Sequence, residues 1–166
     1  ALTDGRCAYE VATACGHAEV AVFDRPLDLE TAAGVRLAYA VDERASDGWK
    51  AQAPAWLDAL GFVPQAVADS PGLVVARTVA MLINEGCDAV LQGVCTPAGA
   101  DAAVRLGLHY PAGPFEWLAG WGADEVIALV EALDRHYRGE RYRASPWLRR
   151  HAAAQRPAAA ANAGAR

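Results

Sequence analysis

A chain of 166 residues can bury about 70% of the surface its unfolded form exposes, enough for a stable core. Its composition, 54% hydrophobic and 21% charged, is that of an ordinary soluble globular protein. A net charge of -5 and a pI near 5.3 leave no broad basic surface to neutralise phosphates, which excludes non-specific nucleic-acid binding.

Two rhythms meet near Asp69, and before it helical and strand patterns alternate. Thr3 or Asp4 can cap a helix running to about Cys15, with Gly16 as its stop. Residues 19–23 read as a short β-branched and aromatic strand, broken by Asp24, Arg25 and Pro26. Residues 35–41 alternate and read as a second strand. Asp47 can cap a helix through Leu60, with Trp49, Ala53, Trp56, Leu57 and Leu60 on its inner face. Pro54 lies inside that pattern and should kink the helix or mark a late start. Gly61 ends it, and residues 62–67 read as a third strand, placed at a sheet edge by Pro64. Strands alternating with helices predict a small parallel α/β unit over residues 1–68.

From Asp69 onward, over residues 69–151, the pattern is helical throughout. Ser70 as cap and Pro71 in the first turn open a helix that runs to Leu91. Leu73, Val74, Val79, Met81, Leu82, Ile83 and Val90 make it apolar on most sides, the mark of a buried helix. Thr96 caps a short helix over residues 97–106, closed by Gly107. Residues 109–114 form an irregular Gly/Pro segment. Asp124 and Glu125 open an amphipathic helix with Val126, Ile127, Val130, Leu133 and Tyr137 on one stripe. Arg135 and Arg138 suit the negative end of its dipole, and Gly139 stops it. Ser145 and Pro146 start a final turn through Arg150, and the Ala- and Pro-rich residues 152–166 are expected to be a flexible tail.

The apolar stretches fall far short of the roughly 20 residues of a membrane span, and the polar opening at Thr3 and Asp4 is no signal peptide. Cys7, Cys15, Cys87 and Cys95 form no C-x-x-C pair, and reduced, mostly buried thiols in a reducing cytoplasm are expected. No G-x-G-x-x-G, P-loop, G-x-S-x-G or H-E-x-x-H occurs, so a complete NAD site within the chain is not expected. His17 reads as solvated, His136 as a complement to a helix dipole, His151 as a surface residue, and His109 as a structural residue of the Gly/Pro loop. Asn84 and Glu85 are polar residues in the most apolar helix. Either they contact a ligand or they brace the loop over residues 111–116; Glu116 beside Trp117 carries the same two readings.

Three segments together resemble one family. Asp69-Ser70-Pro71-Gly72-Leu73-Val74-Val75-Ala76-Arg77 is similar to the D-x-P-G-F-[IV]-x-N-R opening of the 3-hydroxyacyl-CoA dehydrogenase C-terminal domain. Asn84-Glu85-Gly86 resembles its N-E-[AG]. Asp101-Ala102-Ala103, Leu106-Gly107 and Tyr110-Pro111-Ala112-Gly113-Pro114-Phe115-Glu116 resemble its D-x-A-x-x-x-G-x-x-x-P-x-G-P-[FL]-E. Thr3-Asp4-Gly5-Arg6 and the α/β pattern to Val67 resemble the reduced Rossmann-like domain that precedes a second helical copy in some bacterial members, including those of phenylacetate degradation. Residues 141–150 resemble the family's R-Y-x-x-S-P-x-L ending.

The resemblance implies a small Rossmann-like unit followed by an all-α domain. It implies the C-terminal portion of an enzyme that oxidises 3-hydroxyacyl-CoA to 3-ketoacyl-CoA with NAD, a histidine elsewhere acting as base. One position departs from the family: the Asn before the Arg, whose amide contacts the catalytic histidine, is Ala76 here. The resemblance therefore leaves no catalytic residue in this chain, with Arg77, Asn84, Glu85 and Glu116 as substrate-binding or structural candidates. NAD would be bound outside the chain, and no metal is implied. The partners implied are the N-terminal half of the parent enzyme, an acyl-CoA and a second subunit in a homodimer. The competing expectations are an independent helical dimerisation or ligand-binding module, and a hydrolase or lyase built on His109 and Glu116.

Overall fold

The structure, a computed structural model, describes residues 1–28 and 34–156. In chain order it contains α1 (Ala8–Cys15), β1 (Ala21–Phe23), β2 (Arg36–Val41), α2 (Asp47–Ala59), β3 (Val63–Ala66) and α3 (Val75–Leu91). There follow α4 (Pro97–Leu108), α5 (Pro114–Trp121), α6 (Ala123–Tyr137), a 3-10 turn (Glu140–Tyr142) and α7 (Pro146–Gln155). A short Rossmann-like sheet precedes a helical domain, as the sequence predicts. By packing, the chain divides into two compact units, Ala1–Met81 with Ala128–Arg143, and Leu82–Ile127 with the residues from Ala144 onward.

In the first unit, α1 starts later than Thr3 or Asp4 would place it. The N–H of buried Thr3 donates to the Phe23 carbonyl at 2.8 Å, and Leu2 bridges Phe23, so the first residues run extended beside β1. The helix then opens behind Cys7, whose N–H donates to a Glu10 carboxylate oxygen at 2.8 Å. Asp69 accepts the free N–H groups of Ala8 and Tyr9 at 2.7 and 3.0 Å, so that helix start is capped from sixty residues away. Gly5 combines a φ of +97° with a close approach: a Cβ there would lie 2.8 Å from the Leu129 carbonyl and the Ala132 Cβ of α6.

The sheet order is β1-β2-β3. It is mixed, a correction to the all-parallel expectation: β2 and β3 pair in parallel across α2, while β1 and β2 pair antiparallel, Val22 opposite Ala40. A helical crossover returns the chain in the same direction, whereas no described helix separates β1 from β2. Pro64, opposite Leu37, lies on the edge strand as expected. The cap of α2 is Ser46, whose hydroxyl accepts the Trp49 N–H at 3.3 Å, and the helix continues unbroken through Pro54. Ala53 and Leu57 form its buried face, whereas Leu60, one residue past its end, is 68% exposed and not part of that face. Ala8 and Ala12 of α1, Val20, Val22, Ala40 and Leu73 pack into one core.

In α6, Val126, Leu129, Val130, Ala132 and Leu133 are buried; Ile127 is half-buried and Tyr137 exposed, so the stripe is rotated from the expected one. In the second unit, α4 runs past Gly107 and is capped instead by His109, at a φ of +56°. The helix α5 was not foreseen in the Gly/Pro segment, although Pro at its first position and Glu116 two residues on are helix-start chemistry. Phe115 meets Trp147 edge-on at 5.3 Å and Tyr110 meets the buried Trp117 at 5.7 Å. The final helix α7 extends to Gln155 with Ala152 buried, beyond the turn expected to end at Arg150; residues 157–166 of the expected tail lie outside the described residues.

Candidate functional site

The position that distinguishes this chain lies at the start of α3, in the first unit. Gly72 and Leu73 both adopt left-handed backbone, at φ of +67° and +50°, so the helix cannot begin at Pro71 and opens at Val75. Its unpaired N–H groups converge on one carboxylate. Asp24, fully buried just past β1, accepts the Val74 and Val75 N–H groups on Oδ2 at 2.9 and 2.7 Å, and that of Ala76 on Oδ1 at 2.8 Å. Negative charge at this point also meets the positive end of the helix dipole. Ala76 is 0% exposed: its methyl group packs in the core, and its only polar donor is already bonded. Asp24 is the residue that sequence reasoning missed; an Asp after a strand signals a turn but says nothing of where its carboxylate ends.

The four candidate residues do not form one constellation. Arg77, also in the first unit, donates from Nη1 to the Tyr137 hydroxyl at 3.2 Å. Asn84, in the second unit, is 1% exposed, and its Oδ1 accepts the buried Ser145 N–H at 2.7 Å. Through that bond it braces the start of α7. Glu85, its neighbour, is exposed. Glu116 does brace that loop, accepting the Gly113 N–H at 2.7 Å, and its other oxygen pairs with Arg105 at 3.0 Å.

Arg105 and Glu116 line a shallow depression of about 420 Å³ in the second unit, with Ala98, Asp101, Ala102 and Leu106. Asp101 is committed to the fold, since its Oδ1 accepts the Phe115 N–H at 2.7 Å. Gly113 lies so close that a Cβ would meet the Asp101 Cα at 2.3 Å, which explains a glycine there. Among the described residues, the motif positions Asp69, Asn84 and Asp101 each hold the backbone of another segment, and Glu116 holds the start of its own helix.

No histidine is among the residues that line this depression. His17 and His109 are exposed at helix ends, His136 faces Glu10 at 3.8 Å, and His151 stacks on Trp147 at 4.8 Å. All four cysteines are free; Cys7 and Cys87 are buried, Cys95 is partly so and Cys15 is exposed. Burial pushes the Cys7 and Cys87 thiols up to about 12, with the charges of Asp69 and Glu10 adding to the effect at Cys7, and that of Asp88 at Cys87. No described helix is long and apolar enough to cross a membrane.

Residues 72–165 match the 3-hydroxyacyl-CoA dehydrogenase C-terminal domain, and residues 1–71 match the 3-hydroxybutyryl-CoA dehydrogenase reduced Rossmann-fold domain. Over 86 residues, 52% of the chain, the sequence is 46% identical to the 3-hydroxyadipyl-CoA dehydrogenase of Escherichia coli K12, of which the match covers 18%. Over 91 residues it is 34% identical to a probable 3-hydroxybutyryl-CoA dehydrogenase of Deinococcus radiodurans, covering 55% of the chain and 33% of that protein. The crystal structure of a 3-hydroxybutyryl-CoA dehydrogenase from E. coli K12 superposes on 92% of the chain at a TM-score of 0.84 and 35% identity, over 31% of its own length. The (S)-3-hydroxybutyryl-CoA dehydrogenase of Ralstonia eutropha superposes on 92% of the chain at a TM-score of 0.73 and 25% identity, over 54% of its own length. The chain thus spans from 18% to 54% of these relatives. Both family matches, which meet at residues 71 and 72, establish that the chain belongs to the 3-hydroxyacyl-CoA dehydrogenase family.

Proposed function

We propose that this chain is the C-terminal portion of an NAD-dependent dehydrogenase that oxidises 3-hydroxyacyl-CoA to 3-ketoacyl-CoA. Within that enzyme it scaffolds the catalytic half, contributes to a homodimer, or completes the acyl-CoA cleft, and it transfers no hydride by itself. The observation that carries this reading is Ala76. At the position where the family's active copy presents an amide, this chain has a fully buried methyl group, and the backbone N–H beside it is held by Asp24. No side-chain donor is left there to orient a catalytic histidine or a substrate oxygen.

The described residues also do not fit a dinucleotide. β2 leads into α2 through Asp42, Glu43, Arg44, Ala45 and Ser46, with no glycine to let a pyrophosphate approach the backbone. The start of α2 is capped by its own Ser46, and the start of α3 holds the Asp24 carboxylate, which repels a second anion. On this reading NAD and the catalytic base belong to the N-terminal half of the enzyme. Arg77, Asn84, Glu85 and Glu116 act on the fold or along the wall of the cleft. The domains divide near residues 68 and 69, and the enzyme works in the cytoplasm, in a route such as phenylacetate degradation. Hydride transfer needs donor and acceptor carbons about 3–3.5 Å apart, a geometry that half a site cannot assemble.

The test measures NADH binding by calorimetry and acetoacetyl-CoA reduction, on the 166-residue chain and on the full-length parent. No binding and no turnover are expected from the chain alone, with activity from the parent on 3-hydroxyacyl-CoA substrates. Micromolar NADH affinity or turnover by the chain alone refutes the division of roles.

A further inference from the structure

Three side chains of the first unit that the proposed function does not use converge on one point. Cys7 precedes α1, Glu10 sits in its first turn and His136 in the last turn of α6. Their ligand atoms (sulfur, carboxylate oxygen and ring nitrogen) all lie within 4.8 Å of one another. The two oxygens of Glu10 have separate surroundings. Oε2 accepts the Cys7 N–H at 2.8 Å, while Oε1 faces His136 Nδ1 at 3.8 Å, beyond hydrogen-bond length. The sulfur lies at the bottom of the cluster, in a residue 2% exposed, and the Glu10 and His136 side chains at its mouth are 32% and 30% exposed. An ion can therefore enter from solvent and reach a sulfur that is shielded from it.

We propose that Cys7, Glu10 and His136 form a three-ligand site for a zinc-class divalent cation, with water as the fourth ligand. A thiolate, an imidazole and a carboxylate suit zinc and its transition-metal neighbours, whereas magnesium and calcium prefer oxygen donors alone. Bond lengths of about 2.3 Å to sulfur and about 2.0 Å to nitrogen or oxygen set tetrahedral ligand atoms about 3.5 Å apart. The groups must close by about 1 Å, which rotation of the half-exposed Glu10 and His136 side chains provides. On binding, the thiol proton leaves to solvent as the sulfur–metal bond forms. The negative charges of Asp69 and Glu10 near that sulfur favour a dication beside it. The bound ion would tie the start of α1 to the end of α6 within this unit.

The test titrates the chelator-treated 166-residue chain with Co²⁺ as a spectroscopic probe, then displaces it with Zn²⁺. One Co²⁺ per chain is expected, with a near-ultraviolet thiolate-to-cobalt band that Zn²⁺ abolishes. Cys7→Ser should lose the band. His136→Gln, at a partly exposed position that leaves the fold intact by circular dichroism, should keep the band and weaken binding by about tenfold or more. Absence of stoichiometric binding, a band that survives in Cys7→Ser, or unchanged affinity in His136→Gln overturns the proposal.

Discussion

Replacing Asp24 with Ala removes the acceptor at the start of α3 while leaving every other side chain in place. Of the four N–H groups it strands, that of Val74 belongs to a residue 50% exposed and those of Arg25 and Val75 to half-buried ones, so water can replace the carboxylate there. The Ala76 N–H is in a fully buried residue and has no substitute. One buried unsatisfied donor costs about 1–3 kcal/mol. Loss of the cap and of the charge at the positive helix end adds about 1 kcal/mol each, so a destabilisation of about 3–5 kcal/mol is expected. With a urea slope of about 2 kcal/mol/M, the unfolding midpoint falls by about 1.5–2.5 M at an unchanged slope. Asp24→Asn, which keeps the shape and one acceptor oxygen, should fall by about half as much. The assay is urea unfolding followed by circular dichroism at neutral pH. A midpoint for Asp24→Ala within about 0.3 M of the wild type would refute the assignment of Asp24 as the cap.

Asn84→Ala strands the Ser145 N–H among residues 1% and 0% exposed, at an expected cost of about 2 kcal/mol; a thermal melt should shift down by about 4–8 °C, and an unchanged Tm contradicts the bracing role. The Arg44 guanidinium, bonded to Asp42 at 2.6 and 2.9 Å, holds that carboxyl below its ordinary value. A depressed folded-state pKa contributes stability that is present above the ordinary carboxylate range and is lost as the pH falls through the lowered value. Arg44→Ala should therefore move the acid-unfolding midpoint to higher pH, measured by tryptophan fluorescence; an unmoved midpoint would show the pair to be idle. Iodoacetamide at pH 8 should modify exposed Cys15 first and reach buried Cys7 and Cys87 only on unfolding, since both thiols are pushed up to about 12; early Cys87 labelling by mass spectrometry would contradict its burial.

Two caps whose donor and acceptor sit within three residues were legible in the sequence, because local spacing alone brings them together, whereas that of α2 is Ser46 and not the expected Asp47. Thr96 accepts the Gly99 N–H and Ser145 that of Trp147, and Gly16 ends α1 at a φ of +77°. The edge position of Pro64 was legible for a similar reason, since a missing N–H cannot serve a central strand. The start of α1 was misread because Thr3 is drawn into pairing beside β1, a contact twenty residues distant that outweighs a good local cap. α5 was missed because the Gly and Pro residues that begin it also mark loops; the close fit of Gly113 against Asp101 selects the helix start. The antiparallel step between β1 and β2 depends on how the connection returns, which strand patterns do not encode.

At the candidate site the same line divides what could be read. That residue 76 is an alanine, and that no glycine-rich phosphate turn occurs, are facts of the sequence. They limit the available chemistry wherever the residues fall, because a methyl group donates no hydrogen bond in any environment. Where the Asp24, Asp69 and Asn84 side chains end, on N–H groups 50 to 61 residues away, only the folded chain decides. A buried polar group takes whatever partner long-range packing brings within 3 Å, and nothing in its own neighbourhood along the chain names that partner.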